Sequence, residues 1–450
     1  MRDAIFSQID FGPLKEFLED DNVTDVSYTN GGQIWIKTLD KGVYKVERPE
    51  INDPLIDKLA FQCANTMGKT FNMAHPFLDA ESAELRMNFV HDSIATNGIA
   101  LVIRKTPAKI RLNKEKLLDE KYITEELHNF LIKCVLGHCN IIVSGETGSG
   151  KTELVKYLAS NTLENEKIVT IEDTLELHLD KIYPGRDIVA MKTNNIASYS
   201  DVLVTCMRQN PRWILLSEVR SAEAVMAVRN SISSGHNLIS TIHSDSAKNI
   251  PMRMYSLLEG DQDIEQYLTS IHRYVQIGIH VKGYLSQELG RFQREIVEVT
   301  EFYVDDDNKP QTNTLFKKGL DGTITVNNPT DYLRRYMGSQ GMILEENPLH
   351  ITDDGKQEQK KESVPAPTAS NSVQPTPRPT VTPTVTSQPT VNVASQNTAP
   401  RPVVNGIHPS SVSPVPTPRP VIPTISNPAN NTSSTQTAPI GGTVSPVGTV

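Results

Sequence analysis

At 450 residues the chain is long enough for two or three domains of ordinary size. It carries 44 Lys+Arg against 53 Asp+Glu, a net charge of -9, which excludes a protein built to coat nucleic acid or an anionic surface through a bulk basic field. The longest apolar run, FLIKCVLGHCNIIV, is broken by Lys133 and His138, well short of the ~20 residues a spanning helix needs. The opening MRDAIFSQID has two acids and no apolar stretch, so no secretory leader is expected. A soluble protein of the cytosol is the expectation.

Residues 1–105 read as a small α/β module. DVSYT (25–29) and IWIKT (34–38) alternate in hydropathy around Asn30-Gly31-Gly32, which predicts a hairpin. Leu55, Ile56, Leu59, Ala60 and Cys63 recur at helical spacing within 51–67. ELRMNFV (84–90) and IALVIRK (99–105) predict a second strand pair. Residues 106–123, with Pro107 and a Lys-rich run, are the expected interdomain linker.

A second domain is expected over 124–350, and from 124 to about 305 strand and helix alternate. Apolar strands are predicted at 140–144, 167–171, 213–217 and 238–242, with helices at 152–161 and 221–233, the second capped by Ser221 and closed by Gly235. This alternation predicts a mainly parallel sheet with helices on its faces. YVQIGIHV (274–281) and REIVEV (294–299) read as late strands. The four cysteines, Cys63, Cys134, Cys139 and Cys206, are too few and scattered for a disulfide framework. Cys134, His138 and Cys139 lie close together, but no second cluster completes four ligands, so reduced, metal-free thiols are expected.

Composition changes near residue 351. Between Pro365 and Val450 stand 18 of the 29 prolines and only three charges, Arg378, Arg401 and Arg419. Such a segment cannot bury enough apolar surface to offset its ordering entropy, so a disordered Pro/Ser/Thr-rich tail is expected over 351–450. PTPRP occurs at 375–379 and 416–420. A solvated tether or a docking tail for a partner's aromatic groove both suit this composition.

Gly145-Glu146-Thr147-Gly148-Ser149-Gly150-Lys151-Thr152 fits the phosphate-binding pattern G-x4-G-K-[ST], between a predicted strand and a predicted helix that continues through Glu153. Glycines let successive backbone N–H groups face phosphate oxygens, and the helix N-terminus adds its positive dipole end. Lys151 would neutralise the β- and γ-phosphates, and the Thr152 hydroxyl would ligate Mg2+. WILLSEVR (213–220) is a buried strand ending in Glu218, with Ser217 where many such enzymes place an Asp. Glu218 is thus the candidate metal-side or basic carboxylate. Ile171-Glu172-Asp173-Thr174-Leu175-Glu176-Leu177 puts three acids after the second strand. His236 and His243 stand astride the fourth.

These four ordered motifs, GETGSGKT, IEDTLEL, ILLSEVR and GHNLISTIHSDSA, resemble those of the secretion-superfamily ATPases that power type IV secretion, conjugation and assembly of type IV-like pili, over roughly residues 10–305. The resemblance implies a RecA-like P-loop core with a smaller N-terminal α/β domain, ATP and Mg2+ as ligands, and a homo-hexameric ring. It implies partners in the inner membrane and a place at the cytoplasmic face of the membrane, while the acidic charge of the folded region argues for no specific nucleic-acid contact. It further implies Glu172 as the carboxylate polarising the attacking water, His236 reading the γ-phosphate, and His243 linking the site to a neighbouring subunit. Arg86, Arg104, Arg208 and Arg220 match basic positions that approach phosphate or a subunit interface. Ser217 departs from the family's usual Gly. A nucleic-acid translocase on the same core, or a nucleotide-regulated scaffold acting through the tail, are the competing readings; cargo is not written in these motifs.

Overall fold

The computed structural model describes residues 9–194 and 196–349. The chain separates into a unit spanning Met1–Lys360 and a second spanning Lys361–Val450, and the described residues all belong to the first. The expectations for the Pro-rich tail, its repeats included, lie outside the described residues.

Six strands form the N-terminal sheet: β1 (Val23–Thr29), β2 (Gln33–Thr38), β3 (Gly42–Val46), β4 (Phe77–Glu81), β5 (Leu85–Val90) and β6 (Ala100–Lys105), in the order β3-β2-β1-β6-β5-β4. Every pairing is antiparallel. The predicted hairpins are there; β3 and β4 were not anticipated, because β3 is an edge strand with no buried residue and so carries no apolar alternation. The helix Asp53–Met67 starts at Asn52, whose side chain accepts from the Leu55 N–H at 3.2 Å, and stops at left-handed Gly68. It buries Ile56, Leu59 and Cys63 against Ile34, Ile36, Met87, Phe89, Leu101 and Ile103.

Because side chains alternate along a strand, the residues between these core positions share the opposite face. Cross-strand pairing sets Lys37 beside Asp25, Asp25 beside Arg104, Arg104 beside Arg86, and Arg86 beside Glu81. One transverse row of charge thus crosses five strands.

The second sheet has nine strands: β7 (Ile141–Gly145), β8 (Ile168–Glu172), β9 (Ile188–Lys192), β10 (Trp213–Val219), β11 (Asn237–Ile242), β12 (Ile277–Ser286), β13 (Arg291–Val304), β14 (Pro310–Lys318) and β15 (Ile324–Val326). Strands β12-β7-β11-β10-β8-β9 are parallel neighbours, and β13 to β15 extend the sheet antiparallel beyond β12. The parallel part, with β11 between the P-loop strand β7 and β10, is a RecA-like core. One face is covered by helices Glu125–Leu136 and Lys151–Ser160, the other by Tyr199–Met207, Ala222–Ser233, Ile250–Ser256 and Ile264–Tyr274.

Residues 106–123 are more than a bare linker. They hold the helix Lys114–Asp119, and Leu117, Tyr122 and Ile123 are buried in the core of the larger sheet. The charge of this stretch hid the helix, since only one side of it is apolar. A second tie crosses from the β12–β13 hairpin: the Phe292 N–H donates to the Asp40 carbonyl at 2.5 Å, and Arg294 Nη1 donates to the Leu39 carbonyl at 3.0 Å. Cys134 and Cys139 are buried in the apolar core; His138 Nε2 instead sits 2.6 Å from Glu166, with its ring stacked on Trp213.

Candidate active site at the P-loop

All parallel strands present their C-terminal ends at one edge, so the loops after β7, β8, β10 and β11 meet there. The P-loop leaves β7 with positive φ at Gly145, Gly148 and Gly150, and Gly150 caps the helix Lys151–Ser160. Gly148 has a spatial reason as well as a conformational one: a Cβ there would lie 2.6 Å from Lys37 Nζ, which reaches the loop from the N-terminal sheet. Ser149 Oγ is buried and finds no partner among the described residues.

Lys151 is 7% exposed, and its Nζ donates to the Gly145 and Glu146 carbonyls, both at 2.9 Å. Burial lowers its pKa to about 8, against the opposing pull of Glu218, Glu176 and Glu146. A cation kept this dry gains most from an anion. Thr152 Oγ1 donates to Glu176 Oε2 at 3.1 Å, so hydroxyl and carboxylate share one spot beside Lys151. Glu218, at the end of β10, lies 2.9 Å from His243 Nε2. Burial, and then Lys151, lower the His243 pKa, so the ring is neutral near pH 7 and can donate to Glu218.

The cleft above the P-loop is walled by the other sheet. Lys37, Asp25 and Arg104 come from the transverse row, Lys105 from the end of β6, Arg111 from the connector, and Arg294 from β13. Arg104 Nε donates to Asp25 at 2.9 Å. With Lys151 and Lys156 on the P-loop helix, cations outnumber the carboxylates Asp25, Glu153 and Glu176. Lys37, Lys105, Arg111 and Arg294 were not among the residues singled out from sequence; period-two alternation in IWIKT, which puts Lys37 opposite the core face, was the one available signal.

The other residues singled out from sequence fall at different places on the two sheets. His236 precedes β11 and therefore sits at the opposite edge of the sheet, beside Glu166, Lys167 and Arg212, with its Nδ1 3.0 Å from Ser234 Oγ. Arg208 caps the helix Tyr199–Met207 next to Gln209, on the way into β10, and shares that far edge. Neither reaches a phosphate on this chain's own P-loop. Arg220 is occupied by an ion pair with Asp173. Arg86, next along the row from Arg104, lines a neighbouring cleft with Thr174 and Lys192.

Glu172 is fully buried, and its Oε2 accepts from the N–H groups of Glu176 (2.8 Å) and Leu177 (3.1 Å). It holds the loop that delivers Glu176 to Thr152 and does not itself face the cleft. Burial raises its pKa to about 7. The sign is that of a group favoured protonated in the fold: its contribution is complete below about 4.5, is lost as pH rises through about 7, and above that the ionised form costs about 3 kcal/mol. Glu172→Gln should therefore match the parent in urea unfolding at acidic pH and exceed it by a few kcal/mol at pH 8.5. An equal or lower stability at pH 8.5 would contradict the burial argument.

A P-loop on a RecA-like sheet, with carboxylates at the ends of β8 and β10, defines a P-loop nucleotide hydrolase. Residues 77–334 match the family model described as type II/IV secretion system protein. The chain belongs to that family, and it is an ATPase. An uncharacterized protein of Bacillus anthracis is 29% identical over 305 residues, covering 65% of this chain and 68% of that protein. The type IV secretion system protein VirB11 of Bartonella quintana is 35% identical over 158 residues, which is 34% of this chain and 44% of VirB11. The VirB11 ATPase from the Brucella suis type IV secretion system, solved with sulphate, is 23% identical, covering 66% of this chain and 94% of that one, with a TM-score of 0.35. No helix among the described residues is long and apolar enough to cross a membrane.

Proposed function

We propose that this chain is the ATP-hydrolysing subunit of a ring, a homo-hexamer, that drives a membrane-embedded type IV secretion, conjugation or pilus-assembly machine from its cytoplasmic face. The observation that supports this most is the cleft itself: the P-loop belongs to one sheet, while Lys37 and Arg104 belong to the other. We take the two sheets as separate lobes, residues 1–105 and 124–350, joined through 106–123.

The triphosphate lies along Gly145–Thr152, with Lys151 released from its carbonyls onto the β- and γ-phosphates. The donors beside it fit Mg2+: the Thr152 hydroxyl with the Glu176 and Glu218 carboxylates are hard oxygen groups, of the kind that shares such an ion with phosphate. Bound there, Mg2+ would neutralise charge on the phosphates as the terminal bond breaks. Glu218, oriented by His243, accepts the proton of the attacking water. Phosphoryl transfer gains mainly from positioned charge, so Lys37 and Arg104 stabilise the transition state only while the lobes are together. Loss of phosphate removes the anion between them, and the lobes part. In a ring of head-to-tail contacts this opening is a stroke.

Lys37→Ala and Arg104→Ala should each lower kcat about 100-fold, with ATP affinity falling less. Steady-state turnover and nucleotide titration check this, and unchanged kcat in both variants would contradict a two-lobed site.

A further inference from the structure

Lys156, on the P-loop helix beyond Lys151, is 1% exposed. Burying an ammonium is costly unless strong acceptors replace its water. This one has two, and neither is close: Nζ donates to Glu153 Oε1 and to the Pro107 carbonyl, each at 3.4 Å. An apolar side chain of similar length would suit the fold as well or better. Stability alone therefore gives no reason for a lysine here.

Its second acceptor lies in the connector. The Pro107 carbonyl belongs to the same peptide group as the Ala108 N–H, which donates to Glu84 Oε1 at 3.2 Å. Glu84 stands just before β5 in the N-terminal sheet, and its own carbonyl accepts from the Thr106 N–H at 2.8 Å. One connector peptide is thus gripped on its oxygen from the P-loop helix and on its hydrogen from the other sheet. That peptide is stiff as well as held: it is planar, Pro107 fixes its own φ, and Thr106 before it is confined to extended backbone. Glu153 adds a second grip from the same helix, its Oε2 accepting from the Arg111 N–H at 3.4 Å.

We infer that Lys156 and Glu84 are positioning residues for ATP hydrolysis, which together seat the Pro107–Ala108 peptide and so align the end of β6 with the P-loop helix. Arg104 lies on β6 just ahead of that peptide, and Lys37 shares its row through Asp25, so both cations move with it. The inference rests on the reading that Lys37 and Arg104 act on the bound phosphates, and adds the groups that bring them into register. Lys156 also lines the phosphate cleft, so a direct contact with phosphate is the outcome the experiment must separate.

The full chain is assayed for ATP turnover, for affinity toward a non-hydrolysable ATP analogue by calorimetry, and for urea unfolding. Lys156→Met should lower kcat at least about tenfold, leave the Kd within about twofold, and unfold at the same or a higher urea concentration. Glu84→Ala, at an exposed position, should lower kcat about threefold, and Glu84→Gln, which keeps the accepting oxygen, should restore it. In a chain already carrying Lys37→Ala and Arg104→Ala, Lys156→Met should cost less than about twofold, because the groups it positions are gone. Unchanged kcat in Lys156→Met or in Glu84→Ala would overturn the inference. So would a loss of analogue affinity in Lys156→Met as large as its loss of kcat, which would mark Lys156 as a phosphate ligand. Unchanged kcat in the Lys37→Ala and Arg104→Ala variants would instead overturn the two-lobed reading beneath it.

Discussion

Lys151→Ala should abolish ATP turnover, by a factor of at least about 1,000, while the fold survives. The ammonium is nearly dry and rests on two carbonyls of its own loop, so no carboxylate must be stripped from it before it meets phosphate. It is the one P-loop cation that can follow charge from the γ- to the β-phosphate as the bond breaks. Its removal leaves the Gly145 and Glu146 carbonyls without that donor, but it also removes a desolvated charge. These terms offset to within about 1–2 kcal/mol. Phosphate release and urea unfolding, measured on the same preparation, separate the two effects. Turnover within tenfold of the parent would contradict the site, and collapse of the fold would contradict the account of the lysine.

The second large effect falls on the neighbouring glycine. Gly145 has φ of 150°, and a Cβ there would run into the carbonyl oxygen of Val281 and lie 2.7 Å from Ser149 Oγ. Val281 is its register partner on β12, so the obstacle is backbone held in the sheet, not a side chain that can turn aside. Gly145→Ala is expected to cost more than about 4 kcal/mol, enough to leave little folded protein. Gly148→Ala is the informative contrast. There the added carbon meets only the end of the Lys37 side chain, and the penalty is that of a left-handed backbone, about 1–2 kcal/mol. Similar stabilities for the two alanine variants would show that strand spacing does not limit the loop.

What could be read in the sequence was chemistry written locally. The P-loop is a contiguous run whose glycines, lysine and threonine each have a backbone or phosphate reason, and the apolar strand before it is unmistakable. The helix Ala222–Ser233 declared both its ends, with Ser221 accepting from the Ala224 N–H at 3.2 Å. Motifs say nothing where three-dimensional direction matters. His236 and His243 are seven positions apart, close in sequence, yet β11 separates them by the depth of the sheet. Strand direction alone assigns His243 to the P-loop edge and His236 to the other.

Burial divided the acids after β8 in the same way. Glu172 and Glu176 look equivalent in IEDTLEL, but the first ends a fully buried strand and turns inward to satisfy backbone N–H groups, while the second emerges beside Thr152. The cationic wall could not be read at all from motifs. Lys37, Arg111 and Arg294 belong to three segments distant in sequence, and only the register of the N-terminal sheet and the reach of the β12–β13 hairpin bring them together. Arg86 and Arg104, found by resemblance, turn out to be a cross-strand pair in the same row as Lys37, which gives a physical reason for their spacing.

The central claim is that a nucleoside triphosphate binds between the two sheets and holds them together. Its most direct measurement is the distance between a spin label on β4, at Asp79, and one on the helix Ala222–Ser233, at Arg229, recorded with and without ATP and Mg2+ in a Lys151-intact chain slowed by Glu218→Gln. The account predicts a shorter, narrower distance distribution with nucleotide and a return to the ligand-free distribution when Lys151→Ala is added. An unaltered distribution under saturating nucleotide, with binding verified on the same sample, would contradict it.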